Sequence, residues 1–359
     1  MRCDDAPRTS AWPRCVSAVV RASPWSSAGT ENTRGWSRRM RHVLEVAQFD
    51  RRWIETELIP ETQRMERAAL VGTGEPLRGR KLAILLYQES LLTASSFAEA
   101  MESLGGRVRE LRPSTLSPQA REQSVEDTVR ILNAWHFDGL VIRAEQAGGA
   151  ARAARVAAMP VFNAGEPEGE HPTQALLDLV TIVERRGPPD GLRVTLVGDT
   201  SFWRWPAMRS FVKLLALRYR GVRFHFVSPA VLKVTENIER AIGSDALQFD
   251  VGLDLRKVAA DTDVLYFVAG QFSHFALQHL YGPTEGERCF TLTADVLAAL
   301  PEDAVILHPL PAGPELPEEY LADPRVAVFR QAENGLYVRM ALLRMFVDER
   351  PRSGRAEVG

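Results

Sequence analysis

The sequence predicts an α/β protein of two doubly wound domains, each a parallel sheet flanked by helices, with the active site in the cleft between them. Short apolar runs that read as strands (Lys81 to Tyr87, Gly139 to Ile142, Arg193 to Val197 and Ala304 to Leu307) alternate with amphipathic helical stretches, the pattern of parallel strands covered on both faces. At 359 residues, 45% hydrophobic and 25% charged, the chain can bury two ordinary cores. Ligands of such sheets lie beyond the carboxyl ends of the strands, and Ser90, Arg143, His171 and Asp199 each follow a strand-like run closely.

Residues 1 to 40 stand apart, being rich in Arg, Ser and Trp. Asp4, Asp5 and Glu31, with no apolar h-region, argue against a targeting leader; a disordered or non-native extension is expected. After the strand at Lys81 to Tyr87, a helix is predicted from Ser90, because Phe97, Ala100, Met101 and Leu104 fall at helical spacing and Gly105-Gly106 supplies a stop. A second helix opens at Pro172, where the missing N–H costs nothing, and Ala175, Leu176, Leu177, Leu179, Val180, Ile182 and Val183 form its buried run. His171 and Gln174 then sit at a helix start and share one face. They point together past a terminus whose dipole and free N–H groups favour an oxygen ligand. His-Pro-x-Gln alone is more often a capping histidine beside a surface glutamine, so context decides.

A net charge of −2 gives no reason to expect nucleic acid or an anionic membrane as partner, and no apolar run approaches transmembrane length. Of three cysteines, Cys3 and Cys15 lie in the N-terminal stretch, leaving Cys289 alone. That predicts neither a disulfide framework nor a metal site, and a reducing, cytoplasmic setting.

Two segments, Glu170-His171-Pro172-Thr173-Gln174-Ala175-Leu176-Leu177-Asp178 and His308-Pro309-Leu310-Pro311, resemble the signatures of the aspartate/ornithine carbamoyltransferase family. The resemblance runs from about His42 to Phe346, through Asp138 to Arg143, Met159 to Gly165, Val197-Gly198-Asp199 with Arg204, Asp263 to Tyr266, and Phe329 to Leu343, in family order and spacing. Pro309 places it nearer the aspartate branch, since ornithine enzymes usually carry cysteine there. It implies a carbamoyl-phosphate-type domain over 41–183, an amino-acid-binding-type domain over 184–328, a C-terminal helix over 329–350 packing back on the first domain, and a tail over 351–359. It also implies a homotrimer with sites shared between subunits, and no cofactor.

The departures bear on substrate. Where the family's phosphate loop reads Ser-Thr-Arg-Thr-Arg, this chain has Ser90-Leu91-Leu92-Thr93-Ala94. The helix start keeps its N–H groups but loses a hydroxyl at Leu91 and a guanidinium at Leu92. Each missing charged hydrogen bond removes roughly 1.5–3 kcal/mol. Arg121 stands where the family donates a lysine from the neighbouring subunit, a planar fork in place of a point charge; a solvated surface arginine is an equally good reading. Arg204 matches the position of an arginine for the acceptor carboxylate, but among Phe202, Trp203, Trp205 and Pro206. The loop that usually carries Arg-x-Gln reads Ala269-Gly270-Gln271, and Ala312 replaces a further arginine.

Thr93, Arg143, His171 and Gln174, with the Leu310 carbonyl, are by resemblance the groups that polarise the carbamoyl carbonyl; Ser90, Arg121, Arg204 and Gln271 complete the substrate-binding set. Donors aimed at developing negative charge often contribute more to acyl transfer than any other effect, so the retained set implies a carbamoyl or amide-like substrate. Three readings follow: a divergent carbamoyltransferase with altered donor and amine acceptor, a catalytically silent paralogue serving as a structural or regulatory subunit, and an ordinary aspartate carbamoyltransferase in which another cation such as Arg121 replaces Leu92.

Overall fold

The computed structural model describes residues 40–72, 74–88, 90–112, 123–198, 205–228, 248–252, 254–268 and 290–348. An N-terminal helical run, Arg51–Trp53 and Ile54–Leu58, continues into α1 (Ile59–Val71). The first sheet comprises β1 (Lys81–Leu86), β2 (Arg107–Leu111), β3 (Gly139–Arg143) and β4 (Val161–Asn163), all parallel in the order β2-β1-β3-β4. Its connecting helices are α2 (Leu91–Ser103), α3 (Val125–Ala134) and α4 (Gly149–Val156). Helix α5 (Pro172–Arg186) leads to a second parallel sheet of β5 (Arg193–Val197), β6 (Arg223–Val227), β7 (Gln248–Gly252), β8 (Val264–Phe267) and β9 (Val305–Leu307), ordered β7-β6-β5-β8-β9. Helices α6 (Pro206–Arg218), α7 (Ala294–Ala299) and α8 (Val328–Leu343) complete the described chain.

The α/β expectation with two parallel sheets holds. The strands read as continuous apolar runs because both faces are covered. In β1, Leu82, Ile84 and Leu86 enter one core while Ala83 and Leu85 enter another; in β8, Val264 and Tyr266 part from Leu265 and Phe267 in the same way.

The two predicted cores take a different form. One large core runs continuously beneath the inner faces of both sheets, with a satellite on the outer face of each. The cause lies in α5 and α8. Helix α5 is buried from Pro172 through Ile182, and α8, buried from Tyr337 through Leu343, packs against α1, α2 and α5, so both lie within the core and join its two sides. Phe97, Phe162 and Phe346 form an aromatic chain on the first-sheet side, and Phe211 stacks on Tyr266 at 4.7 Å on the second.

Register places Leu86 of β1 opposite Arg143 of β3, so their carboxyl ends lie side by side where α2 begins. Gly105, at φ +81°, follows the Leu104 cap as the expected stop. Among the described residues no helix is long and apolar enough to cross a membrane.

Candidate active site

His171 is the N-cap of α5, with Pro172 at the first helical position. Its entry angle is set from the other sheet's helix, α6: Ser210 Oγ accepts the His171 peptide N–H at 2.9 Å, and Lys213 Nζ donates to Glu170 at 2.5 Å. Arg209 of the same helix donates to the Gly169 carbonyl. Glu170 also accepts the Val46 N–H at 2.7 Å, tying the N-terminal segment to this corner.

The His171 ring is buried, with the Thr173 hydroxyl 3.4 Å from Nδ1. Across Gly165 it meets Arg143. A β-carbon on Gly165 would stand 2.7 Å from Arg143 Nη1 and 3.2 Å from His171 Cδ2, at a φ of +106°, so only glycine lets the guanidinium and the imidazole close on this backbone. Arg143 Nη1 donates to the Ala164 carbonyl at 3.1 Å, while Nε is buried without an acceptor among the described residues. Burial lowers the Arg143 pKa. Burial, then the positive charges of Arg143 and Arg339, hold the His171 pKa well below the usual imidazole value. The imidazole is therefore neutral at physiological pH, a hydrogen-bonding group beside a fixed cation.

Gln174 behaves differently from the expectation that its carboxamide points past the helix terminus beside His171. Its Nε2 turns along the helix and donates to Asp178 Oδ1 at 2.9 Å, an i,i+4 pair. Asp178 is fully buried and also accepts from Gln331 Nε2 at 2.6 Å and from the Tyr266 hydroxyl at 3.0 Å. Burial pushes its carboxyl up to about 7, opposed by those three hydrogen bonds and the charge of Arg339. Gln331 Oε1 in turn accepts the His308 peptide N–H at 2.9 Å, and His308 Nδ1 accepts the Leu310 N–H at 2.8 Å. A hydrogen-bonded path thus joins Gln174 on α5, Asp178, Gln331 on α8, and the Leu310 turn after β9. Leu310 has φ +55° and precedes a cis peptide to Pro311. Arg339 lies buried over the Phe97 ring at 5.1 Å, its Nε lacking an acceptor among the described residues.

At the start of α2, Ser90 is the N-cap in an extended conformation, but its hydroxyl donates to Thr93 Oγ1 at 2.9 Å and makes no cap to the backbone. Thr93 is buried, whereas Leu91 is 79% exposed and Leu92 47%. The leucines therefore project from the helix start and do not anchor it in the core.

Of the residues singled out by the sequence, Arg143 and His171 meet across Gly165, Gln174 and Leu310 join through the polar path, and Ser90 and Thr93 lie where β1 and β3 end. Asp199, Arg121, Arg204 and Gln271 lie outside the described residues. Trp205, expected to make the acceptor pocket bulky, packs partly buried against the main core, and Pro206 starts α6. Asp178, Gln331, Tyr266, Arg339 and Gly165 gain their roles only in the folded structure. An acid inside the apolar run of α5, four residues after Gln174, is the sequence signal that marks Asp178. Among the described residues no three His, Cys, Asp or Glu side chains gather as metal ligands.

The family models for the aspartate/ornithine carbamoyltransferase carbamoyl-P binding domain and Asp/Orn binding domain match residues 41–184 and 190–346. Aspartate carbamoyltransferase of rice, a chloroplastic protein, is 38% identical over 318 residues, spanning 87% of this chain and 86% of its own. The aspartate carbamoyltransferase catalytic subunit of Thermoplasma acidophilum is 38% identical over 274 residues, 76% and 87% of the two chains. Among solved structures, aspartate transcarbamoylase from Trypanosoma cruzi in complex with carbamoyl phosphate superposes with a TM-score of 0.75 at 31% identity, covering 86% of this chain and 95% of the other.

Proposed function

Because the chain belongs to the aspartate/ornithine carbamoyltransferase family, on its aspartate branch, we propose that it transfers a carbamoyl group from carbamoyl phosphate to the amine of aspartate. The carrying observation is the pair Arg143 and His171: a half-buried guanidinium whose Nε has no acceptor among the described residues, closed across Gly165 onto a neutral imidazole. Such a pair suits an oxygen that gains negative charge as an amine attacks its carbon. In this reading Arg143, His171 and Thr93 bind the carbonyl oxygen and Gln174 receives the carbamoyl N–H. The Leu310 carbonyl takes the other amide hydrogen or the attacking amine. Arg204 and Gln271 orient the acceptor, and Arg121 enters the neighbouring site of a homotrimer. The named substrates of the relatives shift the balance toward the ordinary reaction.

A second reading is favoured by one feature. Exposed Leu91 and Leu92 at the α2 start supply no countercharge for a dianion, which suits a donor whose leaving group carries less charge than phosphate. Assaying phosphate release and carbamoyl-aspartate formation in the same samples separates the two. Turnover that falls by about 10²-fold or more in Arg143→Ala and His171→Ala, with the fold intact, supports the ordinary reaction. No turnover of carbamoyl phosphate refutes it, and no turnover of any donor, in wild type and both variants alike, points to a silent subunit.

A further inference from the structure

Gln331 has a fixed orientation, because its Oε1 receives the His308 peptide N–H, a group that can only donate. Its Nε2 must then face Asp178, and Asp178 Oδ1 must accept. The same oxygen receives Gln174 Nε2 at 2.9 Å. With the nitrogen end turned onto Asp178, the end of the Gln174 carboxamide that faces away from the carboxylate is its carbonyl oxygen. That end accepts from an N–H and meets a methyl group or another acceptor poorly.

We infer that Asp178 is a positioning residue for donor selection: pinned through Gln331 from the second sheet's His308 turn, it fixes the Gln174 carboxamide so that the site takes an acyl donor bearing an amide N–H. The inference rests on the transfer reading above. It assigns the discrimination between a carbamoyl donor and its methyl analogue to a carboxylate that touches neither substrate. A site built to hydrogen-bond a group rejects the analogue lacking it, because the buried partner is left unpaired.

The test compares kcat/KM for carbamoyl phosphate with that for acetyl phosphate, aspartate being the acceptor, in wild type, Asp178→Leu and Asp178→Asn. Leucine releases Gln174, and the preference for the carbamoyl donor is expected to drop about tenfold, the scale of one hydrogen bond. Asparagine can turn Oδ1 to both glutamines and Nδ2 to the Tyr266 oxygen, so it is expected to restore the preference. A merely structural role lowers both donors alike in Asp178→Leu, and an unchanged ratio overturns the inference. If wild type turns over neither donor, the transfer reading fails on its own. Positioning is then decided by the Gln174 side-chain amide protons: protection from solvent exchange in wild type and Asp178→Asn but not in Asp178→Leu upholds it, and equal exchange in all three overturns it.

Discussion

Alanine at position 165 would bring its β-carbon within 2.7 Å of Arg143 Nη1 on a left-handed backbone. We expect Gly165→Ala to cost about 1–3 kcal/mol in urea denaturation, from backbone strain and displacement of the guanidinium. Its turnover should fall at least tenfold. His171 carries a pH prediction of definite sign. Its folded pKa lies below the unfolded imidazole's, so as pH falls below about 6.5 the unfolded chain binds a proton that the folded chain refuses. Stability is therefore lost on acidification through that range, and urea midpoints between pH 7.5 and 5.5 should fall less in His171→Gln than in wild type. At this scale the motif residues were legible because their types and spacing are written in the chain. Gly165 and Arg339 were not, since their importance lies in what comes within a few ångströms of them after folding.

Helix α2 shows how an element can persist while its chemistry changes. Phe97, Ala100 and Met101 hold it in the core and Gly105 ends it, so its register was legible from apolar spacing alone. The side chains at its start answer to a ligand and not to packing, which leaves Leu91 and Leu92 free to differ. With Leu92 47% exposed, an arginine fits there without a core penalty. Leu92→Arg should tighten phosphate or carbamoyl phosphate binding by about tenfold or more in calorimetry, the return of one charge-assisted hydrogen bond; unchanged affinity would show that the phosphate is held elsewhere. Strand positions were legible to within a residue for the same reason as the helix: β1 stops at Leu86, β3 extends to Arg143 and β9 starts at Val305.

Across the whole molecule, the Asp178 hub couples the two sheets through partners 88 and 153 residues away, a separation that no local periodicity encodes. Two parallel sheets could be read from the chain, but their shared core could not, because it depends on α8 returning to pack on α1 and α2. Asp178 also sets a pH response. Its folded carboxyl is pushed up to about 7, above the ordinary value, so between pH 4 and 7 the folded chain binds the extra proton. Stability contributed by that proton is present at the acid end of the window and lost as pH rises through 7. Thermal denaturation should show Asp178→Asn less destabilised than wild type on going from pH 5 to pH 8; a parallel pair of curves would contradict the shift.

The path of α8 also has a meaning for synthesis. Strands β1 to β4 and helix α2 leave the ribosome early, yet α2 packs against α8, and Phe162 of β4 against Phe346 just beyond α8, near the end of the described residues. The half of the molecule translated first is thus completed last. Until then its apolar side stands open to chaperones, and nascent chains arrested before Val328 should be held by them while the full chain is released.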